Sequence, residues 1–198
     1  MAQLFLASGS PRRHELLGQI GVPFTPLQAP QIDETPMPGE EGDAYVQRLA
    51  REKAQAGWHC MADTANACVL GADTIVMHQG KLLGKPADAE EAAAMLAFLS
   101  STEHQVLTGV AVYTAVGCEV AVSRTTVTMR LLSDDLIRRY VATGEPFDKA
   151  GAYGIQGYGA ALIAALAGCY STVVGLPLAL TAQMLERAGV PIWQSSTQ

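Results

Sequence analysis

At 198 residues and 49% hydrophobic composition, the chain can bury one substantial core, and residues 1–198 are expected to form a single domain. Its formal net charge of -6 argues against nucleic acid as a partner, because that partner needs broad Lys/Arg patches that neutralise many phosphates. A small anionic ligand needs only a few local cations in a cleft, so it is not excluded. Cys60, Cys68, Cys118 and Cys169 show neither CxxC nor zinc-like spacing and read as reduced, mostly buried thiols. No apolar run approaches a membrane span and the start does not resemble a leader, so a cytoplasmic protein with no membrane partner is expected.

In chain order, the short apolar run 3–7 reads as a strand ending in Ser8-Gly9-Ser10. Pro11 then opens a helix carrying Leu16, Leu17 and Ile20, capped by Ser10 and stopped by Gly21. Residues 26–42 hold Pro26, Pro30, Pro36 and Pro38 among several acids, which suits a surface loop long enough to be a lid. Asp43 is the expected cap of a second helix, whose inward stripe of Val46, Leu49, Ala50, Lys53 and Gly57 puts Lys53 on the buried side. A strand over 69–77 and a turn at Gln79-Gly80 follow, then a helix with Met95, Leu96 and Leu99 that starts at the capping-box pair Asp88 and Glu91.

Residues 105–114 and 119–131 read as two strands joined near Val116-Gly117, hence antiparallel. Ser133 caps a helix with Leu136, Ile137, Tyr140 and Val141, closed by Gly144 and Pro146. After the glycine-rich stretch 147–159, the pattern predicts a strand over 160–166, a turn at Gly168 and a last helix from Pro177 to about Ala188, with a disordered tail over 193–198. Strands and helices alternate, but a hairpin intrudes, so the sheet is expected to be mixed.

Asp73 stands mid-strand among apolar or small neighbours. A carboxylate there must be paired or perform chemistry, because leaving it uncompensated costs several kcal/mol. The alternative is a structural Asp bonded to backbone or to an arginine. Ser8-Gly9-Ser10-Pro11-Arg12-Arg13 joins a strand end to a helix start, where free N–H groups and two arginines favour an anion over mere helix capping. Lys53 can either face a ligand or snorkel to the surface. Lys85 precedes a proline that biases it to extended backbone, with an ordinary loop lysine as the alternative. Glu34, with Asp33, could supply oxygen ligands to Mg²⁺ or simply be solvated.

The segment 147–157 combines charge, aromatic, amide and glycine backbone, which suits base recognition as well as a plain connection in which Gln156 satisfies backbone. Gly80-Lys81-Leu82-Leu83-Gly84-Lys85-Pro86 is not a P-loop, and Gly154, Gly157 and Gly159 precede a strand where the dinucleotide fingerprint needs a helix.

The ordered set Ala7-Ser8-Gly9-Ser10-Pro11-Arg12-Arg13, Ile32-Asp33-Glu34, Ala50-Arg51-Glu52-Lys53-Ala54, Gly71-Ala72-Asp73-Thr74, Gly84-Lys85-Pro86, 148–157 and Val174-Gly175-Leu176-Pro177 resembles the Maf family of nucleotide pyrophosphatases. The resemblance runs from about residue 4 to 188. It implies an α/β fold like that of the inosine-triphosphate pyrophosphatases, with a mixed twisted sheet flanked by helices, a Mg²⁺ or Mn²⁺ requirement, and a homodimer. It also implies hydrolysis of a nucleoside triphosphate to the monophosphate and pyrophosphate, clearing unwanted nucleotides from the precursor pool.

Within the family the chain looks like the dTTP/UTP branch, with Arg12, Thr74 and Gln156 at the positions that discriminate substrates. Cys169 and Thr172 stand where members often carry Ser and Asn. The expected roles are Asp73 as general base and metal ligand, Glu34 as second metal ligand, and Ser8, Arg13, Lys53 and Lys85 on the phosphates. The rival readings are a 7-methyl-GTP pyrophosphatase and a nucleotide-binding regulator of cell division that does not hydrolyse.

Overall fold

A computed structural model describes residues 2–28 and 31–194. The chain divides into two compact units, residues 1–73, 108–123 and 175–198 forming the first and residues 74–107 and 124–174 the second. The expected tail straddles the boundary of the described residues. Trp193 and Gln194 donate their amides to Ile20 O and Gly21 O at 2.9 and 2.8 Å, while 195–198 lie outside the described residues, as do Ala29 and Pro30 of the expected lid.

In the first unit the strands are β1 (Gln3–Leu6), β2 (Thr25–Pro26), the first part of β3 (Ala67–His78), the last part of β5 (Glu103–Thr114) and the first part of β6 (Gly117–Met129). They run in the order β2-β1-β3-β5-β6, and β1 is parallel to both β2 and β3. The helices are α1 (Pro11–Gln19), α2 (Gly42–His59) and α6 (Leu178–Arg187). α2 forms as its periodicity predicts, with Val46, Leu49, Ala50, Ala54 and Gly57 buried. Two glycines let it lie directly on the sheet. A Cβ on Gly71 would strike the backbone of Ala50 and Ala54, and one on Gly109 would strike the Val46 carbonyl. No bulkier residue fits at either position without moving the helix.

The second unit holds the rest of β3, β5 and β6 together with β4 (Lys81–Leu83), β7 (Ile163–Ala167), α3 (Ala89–Leu99), α4 (Asp134–Val141) and α5 (Tyr170–Val174). β4 pairs antiparallel with β3 through the Gln79-Gly80 turn, where φ is 49° and 73°, the signature of a type I′ hairpin. β7 pairs antiparallel with β6, so the sheet is mixed and flanked by helices, as expected. A capping-box-like start forms at α3, with Asp88 accepting from the Glu91 amide at 2.8 Å and Glu91 accepting from the amide of Ala87, one residue before the cap, at 2.6 Å. Leu96, Leu99, Val127, Met129 and Leu162 lead this unit's core.

Three local expectations are corrected. α2 is capped at Glu41, and Asp43 falls inside the first turn, where its charge still favours the helix dipole. Ser10 holds the N-cap position of α1 but makes no side-chain cap bond; its carbonyl takes the Arg13 and His14 amides instead. The predicted strand at 160–166 begins only at Ile163, because Gly157–Leu162 closes into a 3₁₀ turn. α5 is not expected from the sequence, and the cysteines are not mostly buried: Cys68 is buried, Cys118 and Cys169 are half-buried and Cys60 is exposed. No helix among the described residues is long and apolar enough to cross a membrane.

Candidate functional site

β1 delivers Ser8 by keeping its register with β3 one residue past the strand, where Ala7 N donates to Leu70 O at 2.9 Å. The chain then turns, and the Ser8 hydroxyl accepts from the Ser10 amide at 3.3 Å and from Arg13 Nη1 at 3.0 Å. Arg13 Nε donates to Gly175 O at 2.8 Å, so its guanidinium is fixed from two sides. His14 Nε2 lies 3.0 Å from Ser8 O and, facing a carbonyl, must carry the proton. Burial draws the Arg13 guanidinium below its ordinary pKa and Arg12 adds to the pull, against the opposing carboxylates of Asp73 and Glu34. Arg13 therefore faces the same acids as Lys53. Arg12 is half-buried beside it.

The close packing of α2 on Gly71 carries Lys53 to Asp73, which stands two residues further along β3 on the same face. Lys53 Nζ donates to Asp73 Oδ1 at 2.7 Å and pairs with Glu34 Oε1 at 2.8 Å. Asp73 is only 7% exposed, so the expected need for a partner is met, and Lys53 meets it. Lys53 does not snorkel. The Glu34 side chain is 58% exposed, which leaves that end of the triad open to a ligand.

The elements around Glu34 were not anticipated. Tyr45 Oη donates to Glu34 O at 2.6 Å, and Arg48 forms two bonds with Glu40 at 2.7 and 2.8 Å. The available signal was that Tyr45, Arg48 and Glu52 recur at helical spacing on the side of α2 adjoining Lys53.

Two carboxylates on one ammonium form a donor set that also fits a divalent cation. Mg²⁺ and Mn²⁺ accept hard oxygens and commonly take one or two carboxylates with the remaining positions filled by substrate phosphates and water. Among the described residues no group of three or more His, Cys, Asp or Glu side chains gathers as a self-sufficient metal site. A cation on Glu34 and Asp73 would thus complete its shell with water or substrate oxygen.

The second unit holds Thr74, Lys85 and Gln156. Thr74 is half-buried in β3, while Lys85 and Gln156 are exposed. Gly84 O accepts the Gly151 amide at 3.0 Å, which ties the Gly84-Lys85-Pro86 segment to the glycine-rich stretch. Gly151 has φ +69° and lies against Val76, two reasons for glycine there. Glu145 holds the next turn, its carboxylate accepting from Tyr140 Oη at 3.0 Å and from the amides of Tyr158 and Gly159 at 2.8 Å each. Lys149 is used locally, on Glu145 O at 2.7 Å and Asp148 Oδ1 at 2.6 Å. Cys169 bonds locally as well, its amide to Thr125 Oγ1 at 3.0 Å and its Sγ to Ser171 Oγ at 3.1 Å. The structure thus gathers Ser8, Arg13, Glu34, Lys53 and Asp73 in the first unit.

Comparison with known proteins adds the family. A family model described as Maf-like protein matches residues 3–188. A dTTP/UTP pyrophosphatase of Alcanivorax borkumensis is 54% identical over 96% of this chain and 98% of its own length. One of Pseudoalteromonas atlantica is 52% identical over 93% and 96%, and one of Myxococcus xanthus 53% over 98% and 96%. With the family match spanning nearly the whole chain and relatives sharing about half its residues end to end, this chain belongs to the Maf family.

Proposed function

We propose that this chain is a nucleoside triphosphate pyrophosphatase that hydrolyses dTTP and UTP to the monophosphate and pyrophosphate. The observation that carries the reading is the triad in which Lys53 binds both Asp73 and Glu34, beside the Arg13–Ser8 pair, in a chain 47–54% identical to relatives named dTTP/UTP pyrophosphatase. A site that only bound nucleotide would not require a buried carboxylate beside its phosphate-binding cations.

In the proposed reaction Asp73 removes a proton from water, the water oxygen forms a new bond to phosphorus, and the α–β phosphoanhydride breaks to release pyrophosphate. Arg13, Lys53 and the Ser8 hydroxyl bind phosphate oxygens and offset the negative charge that develops on the leaving group. Lys53 has three donors, of which Asp73 and Glu34 take two. Asp73 and Glu34 are the residues to hold Mg²⁺ or Mn²⁺, which when bound supplies charge neutralisation at the phosphates. Lys85 keeps its phosphate role, and Arg12, Thr74 and Gln156 their role in choosing the base, on the family motifs that carry them. A cytoplasmic homodimer that clears unwanted pyrimidine nucleotides completes the reading.

The test is pyrophosphate release over a panel of canonical and modified triphosphates, with and without Mg²⁺. Fastest release from dTTP and UTP, dependent on metal, is expected. Preference for 7-methyl-GTP would move the chain to the other branch, and no release from any nucleotide would favour a binding protein. Asp73→Asn should lower turnover by roughly 10²- to 10⁴-fold; near-normal turnover at saturating Mg²⁺ would remove Asp73 from the base role.

A further inference from the structure

The described part of the segment that carries Glu34, residues 31–41, contains no helix or strand, and the Glu34 side chain is more than half exposed. Nothing in its local backbone dictates where the carboxylate points. Yet three successive carbonyls of this segment meet one face of α2. Arg48 Nη1 lies 3.5 Å from Asp33 O, Tyr45 Oη donates to Glu34 O at 2.6 Å, and Arg48 Nη2 donates to Thr35 O at 3.2 Å. The far end of the segment closes on the same guanidinium, where Glu40 takes both its bonds from Arg48 and also accepts the Met37 amide at 3.0 Å. The Arg48 guanidinium carbon sits 5.4 Å from the centre of the Tyr45 ring, and Glu52 flanks it at 3.5 Å.

We propose that Arg48 and Tyr45 are positioning residues, a clamp that holds the Asp33-Glu34-Thr35 backbone on α2 so that the Glu34 carboxylate meets Lys53 and, with Asp73, a divalent cation. This rests on the reading above, in which Glu34 is a metal ligand. The clamp and Lys53 share one helix, so their relative positions are fixed by α2 rather than by the loop. Lysine cannot replace Arg48, because the forked guanidinium serves a carboxylate and two carbonyls at once while an ammonium is a single point. Tyr45 is 6% exposed, so its bond to the Glu34 carbonyl is sheltered from competing water.

The experiment uses the full chain and the variants Arg48→Lys, Tyr45→Phe and Glu34→Gln. Hydrogen exchange at the Thr35 and Met37 amides reads the clamp directly. Mn²⁺ alone, followed by the loss of its free-ion paramagnetic resonance signal, reads the ligand without turnover. In Arg48→Lys the Met37 amide should exchange at least tenfold faster, and Mn²⁺ affinity should fall by roughly 10- to 100-fold, the range for groups that orient metal ligands. Tyr45→Phe should shift both in the same direction by a smaller factor. The metal concentration for half-maximal pyrophosphate release should rise in parallel while kcat at saturating Mn²⁺ stays within about threefold. In the Glu34→Gln background, Arg48→Lys should weaken Mn²⁺ no further, a non-additivity that a merely structural role would not give.

Unchanged exchange, or faster exchange with unchanged Mn²⁺ affinity, would overturn the proposal, as would full additivity with Glu34→Gln. If Arg48→Lys does not fold, Tyr45→Phe carries the same test, since the ring remains. A wild-type chain that binds Mn²⁺ through the clamp yet releases no pyrophosphate would refute the enzymatic reading and leave the clamp standing.

Discussion

Gly71→Ala should disable the site without touching any residue in it. Gly71 faces α2 so closely that an added Cβ would lie 2.6 Å from Ala54 N and nearer still to Ala50 O. Both atoms are helix backbone, so no side chain can swing aside. Ordinary contact begins at 3.4 Å, so α2 must retreat from β3 by roughly 1 Å, at a cost of about 1–3 kcal/mol for overpacking. Lys53 precedes Ala54 and moves with it. Its 2.7 Å bond to Asp73 then opens past about 3.2 Å, the usual limit for N–H···O. A displacement of about 1 Å at a reacting centre can lower turnover by roughly 10²-fold. Two assays follow from this. Urea unfolding should give a stability loss of about 1–3 kcal/mol, and pyrophosphate release under conditions where the variant stays folded should fall by about 100-fold. Gly18→Ala is the control, because a Cβ there meets nothing within 4 Å and φ is ordinary, so it should add about 0.5–1 kcal/mol to α1 and leave turnover alone. Wild-type turnover in Gly71→Ala would refute the reasoning, since it would mean that the flexible lysine stem rather than the helix–strand contact sets the Lys53–Asp73 pair.

Removing Lys53 altogether, as Lys53→Met, should take the ion-pair partner from the buried Asp73 and lower unfolding free energy by about 3 kcal/mol at neutral pH; a loss below about 0.5 kcal/mol would show that water or Arg13 replaces it. In the second unit His104 is buried beside Tyr153, its Nε2 2.6 Å from Tyr153 Oη, and burial, then the neighbouring His78, lower its pKa to about 4. A folded pKa below the unfolded value of about 6.5 means that stability is complete above about pH 6.5 and is lost as pH falls toward 4. The linked loss is about 3 kcal/mol, measured by urea titrations across that window, and His104→Asn should flatten it. Glu145→Ala would strip the acceptor from the amides of Tyr158 and Gly159, costing about 1–3 kcal/mol and loosening the turn after Gln156. The ratio of kcat/KM for dTTP over GTP should fall, and an unchanged ratio would count against Gln156 as a selector of the base.

What could be read in the sequence tracks how far each residue's environment is local. The stripe of α2 repeats every three or four residues and so puts Lys53 on the buried side, and Asp73 stands out because a carboxylate in an apolar strand is chemically conspicuous. The bond between them could not be read, because periodicity says which side a residue faces but not what it faces, and the contact depends on Gly71 and Gly109 letting the helix descend onto the sheet. The strand expected at 160–166 starts only at Ile163 for a related reason. Its apolar run is rich in alanine, which favours helix over strand, and the Glu145 bonds to Tyr158 and Gly159 lie where Gly157–Leu162 forms a 3₁₀ turn. Glu34 is the extreme case. Its segment has no period at all, and its neighbours Asp33, Glu40 and Glu41 are equally acidic, so composition cannot say which carboxylate serves the site. The choice is made by Tyr45 and Arg48 holding the Asp33-Glu34-Thr35 carbonyls, and those side chains share a face only once α2 has formed. Position 34 therefore takes its contact with Lys53 from the helix, since nothing in the loop's own composition singles it out.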